Sequence, residues 1–197
     1  MKLMIISGSQ RAESQTAKVA QFIAEHAPEH GFSAQHVELH SLNLPFFNGD
    51  GQQMEQYAAW QPLVDQLRDA DALVLATPEW NGSASPMLRN LLMALPGGIV
   101  AHKPALLVSV VAGLNGVYPI TELRGHAFKN NRIVPIPEHL IVRFAPEVMN
   151  GALSLNESDK VTRDRMHNSL TMLASYAKAL RAVQEQYHAN EWQPSGM

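Results

Sequence analysis

Residues 7–16 read SGSQRAESQT, four hydroxyl side chains and one guanidinium directly behind the apolar run LMII. Such a run packs no core. Hydroxyl donors and an arginine gathered in a small volume suit a small anion, above all a phosphate, which a guanidinium grips with two hydrogen bonds. Helical spacing begins near Gln15, so the N–H groups and positive end of a helix point at the same volume. Ser9, Arg11, Ser14, Gln15 and Thr16 are therefore candidate anion ligands, and an ordinary capping turn with a solvated arginine is the competing reading. GxxxxGK is absent and Lys18 lies too deep in the helix for a Walker loop; GxGxxG is absent too, which disfavours a dinucleotide Rossmann site.

A second chemical stretch is TPEWNGSASP at 77–86. It places a proline, a large aromatic and a glycine at the mouth of an apolar run, where Trp80 suits the wall of a flat ring and Asn81, Gly82 and nearby backbone suit its polar edge. The plainer alternative packs Trp80 on a neighbouring loop or subunit.

The elements that must position these residues follow from the apolar periodicity. Runs at 3–7, 34–39, 72–77, 105–111 and 132–137 predict five strands. Ala17, Val19, Ala20, Phe22, Ile23 and Ala27 have helical spacing, as do Leu63, Val64 and Leu67, and then Leu88, Leu91, Leu92 and Leu95. Strand followed by helix, repeated, implies parallel strands with crossovers and a sheet covered on both faces. The expected fold is a single-domain α/β, doubly wound sheet of five parallel strands with helices on both faces. A last helix is expected over 158–187, carrying Val161, Met166, Leu170, Leu173, Tyr176, Leu180, Val183 and Tyr187, with residues 1–188 as the domain and 189–197 as a tail, frayed or docked by Trp192. In such sheets ligands sit beyond the carboxyl ends of the strands. The two stretches above lie there, with a third loop, SVVAGLNGVYP, at 109–119.

Composition narrows the chemistry. The chain has 197 residues, 46% hydrophobic and 17% charged, and no cysteine, which removes disulfides, thiolate metal sites and cysteine nucleophiles and fits a cytoplasmic protein. A net charge of −3 gives no reason to expect nucleic acid, and no run approaches a membrane span. Nine histidines invite a metal reading. His36 and His40 are too far apart on a strand, Pro28 separates His26 from His30, and no acidic cluster completes a ligand set, so no metal is expected. Ser9 and Ser14 lack a G-x-S-x-G elbow and a histidine partner, which argues against hydrolysis.

GSQRAESQT, then TPEWNGSASPMLRNLL some sixty residues later, then KPALLVSVVAG, resemble the NADPH-dependent FMN reductase family over about residues 1–140. That family is flavodoxin-like and includes quinone, azo-dye and chromate reductases. The resemblance implies that Ser9, Arg11, Ser14, Gln15 and Thr16 cradle an FMN phosphate, that Pro78, Glu79, Trp80, Asn81 and Gly82 border the isoalloxazine, and that Ser109, Ala112 and Gly113 complete its other edge. It also implies NADPH or NADH as co-substrate, a quinone-like or other small-molecule electron acceptor, and a homodimer or homotetramer. No side chain is expected to act as acid, base or nucleophile. Glu13 stands where the family commonly has a neutral residue, Thr16 where it has asparagine, and Trp80 where it has tyrosine. An electron carrier and a flavin-free regulatory protein are the alternatives.

Overall fold

Strands that are apolar on both sides must feed two cores, and this chain does so residue by residue. In the run Pro104–Val110 all seven residues are buried. Leu106, Val108 and Val110 enter one core, while Ala105 and Leu107 enter the other. The computed structural model describes residues 1–187; the expected tail and Trp192 lie outside them.

The chain runs β1 (Lys2–Ser7), α1 (Gln15–His26), β2 (Ser33–Glu38), α2 (Leu39–Leu42), α3 (Gly51–Glu55), α4 (Trp60–Asp69), β3 (Ala72–Trp80), β4 (Ser83–Ala84), α5 (Pro86–Ala94), β5 (Pro104–Val110), α6 (Val117–His126), β6 (Val134–Val142) and α7 (Glu157–Gln186). Strand order is β2-β1-β3-β5-β6, with β4 paired only to β3. The five long strands are mutually parallel and β4 is antiparallel to the end of β3. This is the expected doubly wound, flavodoxin-like sheet. Helices α1 and α7 cover one face, and α4, α5 and α6 supply the other core. Strand order reverses between β1 and β3, so the loops leaving those strands diverge and open a crevice between them.

Three elements depart from expectation. The last strand was expected at 132–137 and extends to Val142; Pro135 and Pro137 are tolerated because β6 is an edge strand, and the ladder with β5 is irregular between Ala105 and Leu107. Helix α7 buries Met166, Leu170 and Leu173, but Val161 and Tyr187 are 49% and 53% exposed, since the helix overhangs the sheet at both ends. Helix α6 carries too little apolar periodicity to have been expected; it buries Pro119, Ile120 and Leu123.

Candidate functional site

The loop after β1 is built around an approach that only glycine allows. Gly8 donates its N–H to Ala76 O at 2.8 Å, and a Cβ at Gly8 would stand 2.7 Å from Leu88 Cβ. Above it, Ser9 Oγ accepts from the N–H of Arg11 at 3.1 Å. Ser14 is the N-cap of α1, its Oγ accepting from Ala17 N at 3.0 Å. Each serine thus uses a lone pair locally and keeps its hydroxyl proton to donate. Gln15 and Thr16 open the helix, so their N–H groups have no intrahelical acceptor. Thr16 is only 2% exposed, tucked under the loop. Arg11 and Glu13 are exposed, so the Glu13 carboxylate faces solvent. Lys18 takes no part. It donates to Ala145 O, Val148 O and Asn150 Oδ1 on the far side of α1.

One buried serine bolts this loop to the next. Ser85 caps α5, accepting from Leu88 N, with Pro86 in the first turn. Its hydroxyl donates to Gly8 O, and its N–H donates to Thr77 Oγ1 at 2.8 Å. Between Thr77 and Ser85 the chain makes a hairpin in which Trp80 pairs with Ser83. Asn81 and Gly82 have φ of 50° and 74°, the two left-handed residues of a type I′ turn, for which Asn-Gly is the favoured pair. The turn presents Trp80 to the first loop. The Arg11 guanidinium lies over its indole, 5.0 Å from the ring centroid, a cation–π contact joining the two loops. Pro78 is buried beneath.

The third loop is fastened by carboxylates. Glu79 Oε2 accepts from Gly116 N, and Glu122 Oε2 accepts from Ala84 N at 2.7 Å while its other oxygen pairs with Arg89. Gly116 has a φ of 108°, and a Cβ there would collide with Ile141 Cγ2. Arg143 Nε donates to Leu114 O and Asn115 O from below. Leu114, Val117 and Tyr118 are 72%, 49% and 62% exposed, and Tyr118 approaches Gly82.

The structure therefore brings Ser9, Arg11, Ser14, Gln15, Thr16, Trp80, Asn81 and Gly82 to one edge of the sheet, with Ala112 and Gly113 exposed on the third loop beside them. Two residues face elsewhere. The Glu79 carboxylate is spent on Gly116, and Ser109 is fully buried, with an Oγ that has no hydrogen-bond partner among the described residues. Residues the sequence reading passed over are Ser85, legible as a Ser-Pro helix start, and Glu122, which carries no local signal. Gln10 is a third: its Oε1 is buried without a hydrogen-bond partner among the described residues. Arg124, which follows the third loop, donates to the carbonyls of Ile136, Pro137 and Glu138. The hydroxyl and backbone donors fit a phosphate, and Gln10 Oε1, on the same loop, is an acceptor that a hydroxyl donor would satisfy. An FMN ribityl phosphate offers both.

The model of the NADPH-dependent FMN reductase family matches residues 1–147. The chain is 34% identical over 116 residues to the NADPH azoreductase of Bacillus sp. (strain OY1-2), covering 59% of this chain and 62% of that protein. It is 28% identical over 171 residues to the FMN-dependent NADPH-azoreductase of Staphylococcus aureus (strain USA300), covering 84% and 90%. Among solved structures, the apo form of the NADH:FMN oxidoreductase EMOB superposes with a TM-score of 0.70 at 20% identity, covering 98% of this chain and 97% of that one. FerB of Paracoccus denitrificans, a flavoenzyme NAD(P)H:(acceptor) oxidoreductase, gives 0.72 at 20%, covering 90% and 97%. With a matching family model across three quarters of its length and the site loops at the switch point, the chain belongs to the NADPH-dependent FMN reductase family and is an FMN-dependent NAD(P)H oxidoreductase.

Proposed function

We propose that this protein passes two electrons from NAD(P)H to a quinone-like or azo-type small acceptor, with the three switch-point loops as its flavin site. One observation carries the reading: Arg11 spans the two loops, sitting beside the serine and N–H donors of loop one while stacked on Trp80 of loop two. Ser9, Arg11, Ser14 and the N–H groups of Gln15 and Thr16 would hold the phosphate, and Trp80 with the Asn81–Gly82 turn would wall the ring. Bound there, FMN would supply the redox chemistry that carries two electrons from NAD(P)H to the acceptor. The protein binds and orients, and no side chain is assigned a proton. Leu114, Val117 and Tyr118 give the mouth an apolar rim suited to aromatic acceptors. A homodimer or homotetramer in the cytoplasm belongs to the same reading, supported by that exposed apolar rim and by the lack of cysteine; among the described residues no helix is long and apolar enough to cross a membrane. Sedimentation at tens of micromolar checks the assembly.

The site is tested by titrating apo protein with FMN and with riboflavin, wild type against Arg11→Ala. A charge-assisted hydrogen bond contributes about 1.5–3 kcal/mol, so FMN binding should weaken by about 10- to 150-fold while riboflavin binding moves little. Equal losses for both ligands would place Arg11 at the ring through Trp80. No FMN binding by the wild-type protein at micromolar flavin would overturn the site.

A further inference from the structure

At the other end of α1, 12 residues from the flavin loops, three side chains converge that the redox site does not use. The chain leaves α1 through a 3-10 turn at Ala27–His30 that packs on α7. His30 Nε2 lies 3.0 Å from His167 Nδ1, and Glu29 Oε2 lies 3.8 Å from the same nitrogen. One donor atom from each of Glu29, His30 and His167 falls within 4.8 Å of the others. No sequence spacing announces this, because His167 is 137 residues from His30. We propose that Glu29, His30 and His167 bind a first-row divalent transition-metal ion of the zinc class, which ties the turn after α1 to α7.

The hydrogen bonds around the cluster prepare His30 as a ligand. Thr171 donates its hydroxyl proton to His167 O at 3.0 Å, so its oxygen accepts from His30 Nδ1–H, also at 3.0 Å. That fixes the tautomer and leaves a lone pair on Nε2, pointed at His167. An outer hydrogen bond of this kind is what orients metal-binding imidazoles. His26 closes one side: its Nδ1 donates to Phe22 O and its ring meets His167 edge-on.

The spacing suits an ion. Two nitrogens bound at about 2.0–2.1 Å stand roughly 2.9 Å apart at a right angle and roughly 3.4 Å apart at the tetrahedral angle. The observed 3.0 Å separation falls in that range, so binding asks the two rings to turn towards a common ion and the Glu29 carboxylate to close in from 3.8 Å. Without an ion, two imidazole nitrogens at that distance must share one proton. Two imidazoles and a carboxylate are a borderline-soft set that favours zinc, nickel or copper over magnesium or calcium. Glu29 and His167 side chains are 60% and 34% exposed, so water completes the coordination.

The test uses the flavin-loaded protein and zinc chloride. Calorimetric titration should show one zinc per chain, and the melting temperature should rise by about 5–10 °C at free zinc one hundredfold above the dissociation constant. Both should vanish in His30→Gln/His167→Gln. Thr171→Val, at an exposed position, should fold normally and bind zinc about 10- to 100-fold more weakly. If the double variant does not fold, the wild-type protein decides: with one equivalent of copper(II) and oxidised flavin, electron paramagnetic resonance should show two imidazole nitrogens on the metal. Zinc binding and melting shift that survive unchanged in the double variant, or a copper spectrum without that pair, would overturn the site.

Discussion

Glu13 holds a conformation and a charge that oppose each other's use. Its φ of 48° is left-handed, a region that costs a side-chain-bearing residue roughly 1–2 kcal/mol, and its carboxylate stands on the loop assigned to a phosphate. Glycine removes the strain but returns about 0.5–1 kcal/mol of unfolded-state freedom, so stability should change little. Affinity should change more. A unit charge about 10 Å from a dianion in water contributes roughly 0.8 kcal/mol, so Glu13→Gly should tighten FMN binding by about two- to fourfold at low salt and progressively less as salt is added. Binding that weakens, or a gain that salt leaves untouched, would mean that Glu13 contacts the ligand itself. At this scale the sequence was legible where chemistry is local. Ser9, Arg11 and Ser14 announce themselves by hydroxyl and guanidinium groups clustered behind a strand. The directions of the Glu79 and Ser109 side chains were not legible, because strand register decides which way a side chain points. Glu79 turned to Gly116 N, and Ser109 turned into the packed face beneath that glycine.

The N-terminal end of helix α7, whose apolar face packs on the sheet, is fastened by one buried carboxylate. Asp159 is fully buried; its Oδ1 accepts from Met149 N and Arg163 Nε, and its Oδ2 accepts from Leu155 N and Arg163 Nη2. Arg163 in turn lies over the Phe22 ring of α1, 4.7 Å from its centroid. Burial alone would raise the carboxyl's pKa, but the Arg163 hydrogen bond and the two backbone N–H groups outweigh it and leave the pKa lowered. Asp159→Ala strips the partners from a buried guanidinium and two N–H groups, and breaking such a pair costs about 3–5 kcal/mol. Urea unfolding should record a loss of that size, with FMN affinity of the folded fraction unchanged because the flavin loops lie on other elements. A loss under 1 kcal/mol would mean that water replaces the carboxylate. The strands and the long helices were legible because each is a run of apolar residues with one period. Helix α6 and the Trp80–Ser83 hairpin were not. The first is held by Glu122 and by loop three, while the Asn81–Gly82 pair was weighed as ligand surface, although its two left-handed residues serve the turn.

Across the molecule, several histidines are folded in as neutral rings, and this sets the acid side of the stability curve. His36 is held between Ser7 Oγ at 2.9 Å from Nε2 and Gln21 Oε1 at 3.4 Å from Nδ1. The glutamine oxygen can only accept, so Nδ1 carries the proton and Nε2 accepts from the serine; a second proton would force Ser7 to turn its hydroxyl away inside the core. His139 has a buried Nδ1 with no hydrogen-bond partner among the described residues, and burial followed by Arg124 and Arg165 lowers its pKa. Burial lowers His36, and burial with Arg132 lowers His102. For each, the folded state binds its proton at lower pH than the unfolded chain, whose imidazoles titrate near 6.5. The unfolded state therefore holds more protons just below that pH, and stability from these rings is complete above it and lost as pH falls through it. Lys103, lowered to about 8 mainly by burial, acts on the other side: the unfolded chain keeps that proton to higher pH, so its contribution rises from about pH 8 towards 10.5. Unfolding free energy measured in urea should be nearly level between pH 7 and pH 8 and should fall steadily from pH 6.5 to pH 5. His36→Gln, which keeps a polar side chain but cannot titrate, should make that fall shallower. Stability that holds or rises as pH drops through this window, or a slope His36→Gln leaves unchanged, would show that the buried rings accept their protons at no cost to the fold.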